Sequence, residues 1–468
     1  MNEKITESPE KPDTYKRIIS IDLARGISIF LLIILHTLIY GVWYSEGLAL
    51  DVVHIAVVAA LSPLVMLATW GGGFSYISGI VNVYNMKRRV ERGIKYRKTT
   101  IPLIVSGIAL LLFDPLRSVI LYRTTDNVFS PIGSIYIPLE PSGVNRSIWG
   151  NLIETGRLAF ADPEKLYAIG SLPAIAISGF VIAIIFAFLF YKGGYKKVKR
   201  NVIVLLVLGF LFAGIANPIS DYVIIELNLV ERLYVQGGWK YFLGYILKWF
   251  FGGQLSYFPM GSYAFFGALA GYLLALKVDY KFFKKIFLTI ILVFLGGFLI
   301  TAGLLFLNSD DILAALFDYE VLPRVWLYFS LFAMSLLLLI CVRYVEYASE
   351  EKRENFLRKT KFFRKMGNVT LTLYLLEGPI NLAIATGFHY LFSEPGTVGW
   401  GMVDSFMVTW WQIVIFMVVS LAFWLTVIWA WSKINFKYGF EYWVMKFGNL
   451  FRTEKSIRMI GDQPSSAM

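Results

Sequence analysis

The feature that most constrains this chain is a succession of apolar stretches, each about twenty residues long, separated by short segments crowded with lysine and arginine. At a rise of 1.5 Å per residue, roughly 20 apolar residues cross the hydrocarbon core of a bilayer as a helix. The stretches that qualify are 18–41, 54–82, 99–121, 166–191, 201–217, 254–276, 284–307, 323–345, 367–391 and 408–432, the third interrupted by Asp114-Pro115. Segment 239–253 is apolar but short and carries Lys240 and Lys248, which predicts an interfacial or re-entrant helix. Hydrocarbon offers the backbone no water to bond, so every peptide group at depth must find its partner inside the protein. The expected fold is therefore all-α, a polytopic bundle of about ten transmembrane helices.

Lysine and arginine placement orients the bundle. With the N-terminus in the cytosol, the clusters Lys87–Lys98, Lys192–Arg200, Lys277–Lys285, Arg343–Lys365 and Lys433–Arg458 all fall on the cytosolic side. Of the 44 lysines and arginines, 34 lie inside and 9 outside, with Arg25 within the first helix. An odd number of spans would scramble this alternation, so both termini are expected in the cytosol. The expected organisation is a cytosolic tail over 1–17, a transmembrane domain over 18–432 with outer loops at about 114–165 and 218–253, and a basic cytosolic tail over 433–468. The polar start, Met1–Lys16, followed by an apolar run too long for a signal-peptide core, predicts an uncleaved anchor.

Composition removes several alternatives. The 468 residues are 57% hydrophobic and only 16% charged, against roughly 25% charged in a soluble domain. A net charge of +12 on a soluble chain would point to nucleic acid, but here the basic clusters lie between apolar spans and carry no nucleic-acid-binding signature. The single cysteine, Cys341, excludes an internal disulfide framework and a thiolate metal cluster. Three histidines, His36, His54 and His389, without HExxH spacing, give no basis for a zinc site. The partner expected from composition is thus the bilayer, with no metal and no nucleic acid; an oligomer is compatible with the sequence.

A few residues do not belong in lipid. The first span reads Arg17-Ile-Ile-Ser-Ile-Asp22-Leu-Ala-Arg25-Gly26 and runs on to His36. Spacings of three and eleven put Asp22, Arg25 and His36 on one face of a helix, with His36 about 16 Å beyond Arg25. Charge facing lipid is costly, so that face is expected to turn into the bundle. Asp22 and Arg25 alone would also serve as an ion pair anchoring the helix end. His36 has fewer structural explanations, and intramembrane ionisable groups are functional by default. Glu377 lies near mid-depth in the ninth span, where it could equally bond a neighbouring helix. His389, beside Tyr390, reads as an interfacial residue. Arg89 and Arg92 by themselves need no more than positive-inside topology.

The pattern Arg17-x4-Asp22-x2-Arg25-Gly26-x9-His36 resembles the first-helix signature of the membrane acyltransferases, which include the acyltransferase-3 proteins and relatives of the heparan-α-glucosaminide N-acetyltransferase. Further segments resemble the family's later motifs: Arg89-Val-Glu-Arg92, Leu61-Ser-Pro63 to Ser78-Gly79, Tyr257-Phe-Pro259-Met-Gly261 to Gly267-x3-Gly271, and Met366-Gly367-Asn368 to Tyr374-Leu-Leu-Glu377. Where relatives often carry a histidine in the last of these, this chain has Glu377. In relatives of the heparan type a histidine lies between the first two helices, where His54 is the nearest here. The resemblance implies transfer of an acyl group, acetyl foremost, from cytosolic acyl-CoA (acetyl-CoA) to a hydroxyl or amine of an extracytosolic glycan, glycoside or envelope lipid at the cell membrane. It implies Arg17, Arg25, Arg89 and Arg92 as holders of CoA phosphates, since arginine forks bind phosphate through paired charge-assisted hydrogen bonds. His36 or His54 would then serve as base or nucleophile, with Asp22 and Glu377 beside it. No donor for the tetrahedral oxyanion is evident in the sequence.

Two other readings fit the same residues. A polytopic secondary transporter would use Asp22, Arg25, His36 and Glu377 as naturally, although no inverted internal repeat is visible. An acyltransferase-like protein that only binds or senses its ligand is the third.

Overall fold

The computed structural model describes residues 18–43, 71–121, 147–160, 171–236, 238–251, 256–308, 324–392, 410–443 and 446. Its long helices, in chain order, are α1 (Ile19–Trp43), α2 (Gly71–Glu91), α3 (Tyr96–Ile120), α5 (Ser171–Phe190), α6 (Val198–Asp221), α9 (Tyr257–Ala275), α10 (Tyr280–Asn308), α11 (Arg324–Val345), α14 (Thr370–Phe392) and α15 (Trp410–Lys433). Shorter helices lie between them: α4 (Ile148–Thr155), α7 (Leu229–Val235), α8 (Trp239–Phe251), α12 (Glu350–Lys359) and α13 (Lys361–Gly367). Among the described residues there is no strand, as expected of a chain whose backbone is satisfied within lipid. Among the described residues, six segments are long and apolar enough to cross a membrane, including Tyr96–Ile120, Tyr280–Asn308 and Arg324–Val345. The short apolar segment expected over 239–253 is the helix α8.

The helices sort their side chains by the logic of a lipid solvent. On α3 the exposed stripe is Ile101, Ile108, Leu112, Leu116 and Ile120, while the buried residues are Thr99, Thr100, Gly107, Asp114, Arg117 and Ser118. A water-soluble helix would place these two sets the other way round. Asp114-Pro115 does not interrupt this helix, which runs through Pro102 and Pro115 to Ile120. Residues 114–120, expected to open an outer loop, are therefore helical, and Arg117 is a buried helix residue; residues 122–146 of that loop lie outside the described residues. Proline is tolerated at this depth because neighbouring groups re-satisfy the carbonyl that it leaves.

Among the described helices, α2 and α9 make the most extensive contact, and small residues are the reason. A methyl group at Gly267 or Gly271 would collide with the carbonyls of Tyr76 and Ile80, and one at Gly79 with that of Ala264. Gly79, Gly267 and Gly271 are thus where two backbones touch. α1 is buried on nearly every side, packing against α2, α11, α13, α14 and α15.

The basic clusters converge at one end. Lys87 lies 5.1 Å over the Tyr195 ring, Tyr272 Oη donates to the Tyr195 carbonyl at 3.1 Å, and Tyr347 Oη donates to the Val278 carbonyl at 2.6 Å. Glu346 accepts from both the backbone N–H and the hydroxyl of Ser20, at 3.2 and 3.0 Å, which brings the start of α1 to the same end. Burial pushes the Tyr347 hydroxyl up to about 12, with the carboxylates of Asp279 and Glu346 adding to it, so this tie persists across the neutral range.

Candidate functional site

At the basic end, α1 crosses α13 without side chains between them. A methyl group at Gly26 would strike the Phe363 carbonyl, and one at Gly367 would strike the Asp22 carbonyl. Asp22 is buried and Arg25 half-buried at this crossing. Phe30 packs edge-on against Phe363 at 5.3 Å, one turn further along α1. The Arg25-Gly26 and Met366-Gly367-Asn368 segments thus form a single backbone contact.

A cleft of about 270 Å³ opens between α2, α3 and α5. Ser78, Asn82, Asn85 and Arg89 line it from α2, at spacings of four, three and four that make one polar stripe about 16 Å long. Thr99 and Ser106 face them from α3. Asn82 Nδ2 donates to Ser78 Oγ at 3.1 Å. An arginine at the basic end of a cleft lined with amides and hydroxyls suits a ligand with an anionic head and an amide-bearing arm.

A second polar group is buried at the far end of α3. Arg117 Nη2 lies 3.2 Å from Asp114 Oδ1, the arginine almost fully and the aspartate fully enclosed. The same guanidinium stands 5.6 Å from the Tyr374 ring of α14, and Tyr374 stacks edge-on against Phe74 of α2 at 6.0 Å. Glu377, one turn beyond Tyr374, is buried. Trp149 Nε1 of α4 donates to the Pro379 carbonyl at 3.0 Å, which ties the far end of the bundle to the middle of α14. The Trp149 indole thus fixes a backbone.

Asp22, Arg25 and Glu377 accordingly lie on elements in direct contact, since α14 packs on α1. Arg89 is in the cleft, which no described α1 residue lines, and Arg92 is exposed at the turn after α2. His36 is a residue of α1, three turns past Arg25, and His389 a residue of α14; the side chains of both lie outside the described residues. Arg17 and His54 also lie outside them. Among the described residues no cluster of histidine, cysteine, aspartate and glutamate could hold a metal ion.

A family model described as an acyltransferase domain matches residues 18–429. The chain belongs to the acyltransferase-3 family. The acyltransferase-3 match starts one residue before α1 and ends in the last turn of α15, so it takes in both buried polar groups and the cleft. Among curated proteins, no match to the chain is found. Sequence reasoning missed Asp114 and Arg117 as site candidates. The signal for them was a carboxylate and a guanidinium three residues apart inside an apolar stretch, the spacing of a one-face pair.

Proposed function

We propose that the protein transfers an acyl group, acetyl foremost, from cytosolic acyl-CoA to a hydroxyl or amine of an extracytosolic glycan, glycoside or envelope lipid. In this reading it spans the cytoplasmic membrane about ten times with both termini in the cytosol. The observation that supports it most is the acyltransferase-3 match over 18–429 in a bundle that buries Asp22, Asp114, Arg117 and Glu377 among apolar helices. Such groups are retained inside a membrane for chemistry or transport.

Arg17, Arg25, Arg89 and Arg92 would hold the phosphates of the donor at the basic end, as forked donors do. The Asn82–Asn85 stripe suits the amide-rich arm of CoA. His36 would take the proton of the acceptor as general base in a ternary complex, with Glu377 orienting it and Asp22 placing the start of α1. His54 is the next candidate for the base.

The test is thermal unfolding of the detergent-purified protein with and without CoA or acetyl-CoA, followed by counterflow of candidate acceptors in proteoliposomes. A ligand that binds only the folded state raises the melting temperature. The proposal expects stabilisation by CoA; counterflow without any response to CoA would favour a transporter instead.

A further inference from the structure

α14 carries a carboxamide that is enclosed and unused. Asn381 is 0% exposed, and neither its Oδ1 nor its Nδ2 has a hydrogen-bond partner among the described residues. An amide buried without a partner is expensive in any protein interior, and hydrocarbon offers it no relief. Asn381 stands one turn beyond Glu377 on the same face of α14. On α15, the buried stripe Gln412, Phe416, Ser420, Trp424 and Ile428 adds Ser420 Oγ and Trp424 Nε1, two further enclosed groups without a partner.

These groups share one level of the bundle. α14 and α15 are antiparallel: Phe388 meets Phe416 with ring centroids 5.6 Å apart, and Lys365 Nζ donates to Ser432 Oγ at 3.3 Å at the other end. Counting about 10 Å, seven residues, back from the ring contact reaches Asn381 on α14 and Phe423 on α15, between Ser420 and Trp424. From the Gly26–Gly367 contact, about 15 Å along α1 reaches His36, and about 16 Å along α14 from Thr370 reaches Asn381. The Trp149 bond to the Pro379 carbonyl holds the backbone two residues before Asn381.

We propose that the Asn381 carboxamide is the oxyanion donor of the acyl transfer, with Nδ2–H bonded to the carbonyl oxygen of the donor thioester. The inference rests on the reading of the chain as an acyl-CoA-dependent acyltransferase. In the step, the acceptor oxygen or nitrogen forms a bond to the carbonyl carbon while its proton passes to the base, for which His36 is the candidate. The carbonyl π pair moves onto oxygen, where Asn381 Nδ2–H stabilises it. Collapse restores the carbonyl, breaks the C–S bond and releases CoA, whose thiolate takes the proton back from the base. A preorganised side-chain amide in a water-free site is suited to this task, because it meets the developing charge without reorganising.

The experiment compares wild type, Asn381→Leu and Asn381→Asp in acyl transfer from acetyl-CoA, with melting temperature measured alongside. Leucine removes an unsatisfied amide and so leaves the melting temperature equal or higher, while aspartate keeps the shape and loses the amide donor. Both variants are expected to lose about 10²–10³-fold in kcat while KM for acetyl-CoA changes little. The infrared band of a ¹³C-labelled thioester carbonyl bound to wild type is expected at lower wavenumber than in Asn381→Leu. An active wild type whose variants keep kcat within about threefold, against the 10²–10³ of a lost donor, would overturn the assignment. So would carbonyl bands at the same position. A wild type inactive with every acyl-CoA offered would instead overturn the function on which the assignment rests.

Discussion

Gly26 of α1 and Gly367 at the end of α13 meet backbone against backbone, and this contact joins the first helix to the segment that leads into α14 at the basic end of the bundle. It sets the height from which α1 and α14 rise together, and so the level at which His36, Glu377 and Asn381 stand on adjacent helices.

The contact predicts intolerance of a single methyl group. Gly26→Ala and Gly367→Ala each press a carbon into a carbonyl of the partner element, which only a shift of the backbone can relieve. Each is expected to destabilise by about 1–3 kcal/mol, the range for overpacking, and to lower acyl transfer. Gly296→Ala on α10, where the added carbon meets nothing within 4 Å, is the control expected to keep its melting temperature.

The Asp114–Arg117 pair is expected to behave as a unit. Removing one partner leaves the other charge enclosed, so Asp114→Asn and Arg117→Gln should each cost about 3–5 kcal/mol. The double variant should recover much of that loss, because no isolated charge remains. Thermal unfolding of the four proteins as a double-mutant cycle measures the coupling. Strictly additive costs would mean that the pair does not interact.

Arg89 and Arg92 belong to one motif but differ in setting, since Arg89 lines the cleft and Arg92 is exposed. Arg89→Gln is expected to weaken CoA binding about tenfold or more, as for loss of a hydrogen bond to a charged group. Arg92→Gln should weaken it about threefold or less, because an exposed arginine would hold a phosphate through a contact that solvent screens. Titration of CoA by calorimetry distinguishes them, and equal losses would remove the cleft from the donor site.

Much of the fold is legible in the sequence because hydrophobic length and lysine placement are the physics of the bilayer itself. The one-face spacing of Asp22 and Arg25 likewise anticipates their place on a helix enclosed by others. The end of α3 was hidden by a rule of aqueous helices: Asp114-Pro115 reads as a break, and only tertiary partners let the helix continue. Asn381 was hidden for a different reason. A neutral amide in an apolar helix raises no alarm, and its significance lies in having no partner, which a sequence cannot express. Nor does spacing within α2 reveal that Ser78, Asn82, Asn85 and Arg89 line a cleft rather than a helix contact.

In the proposed mechanism, an imidazole in α1 serves acyl transfer inside this bundle. The most direct test is the rate of acetyl transfer from acetyl-CoA by wild type and His36→Ala, with CoA binding measured on both. A loss of about 10²–10⁴-fold in rate with CoA affinity retained is expected, as for removal of a general base. Equal rates in the two proteins would contradict it.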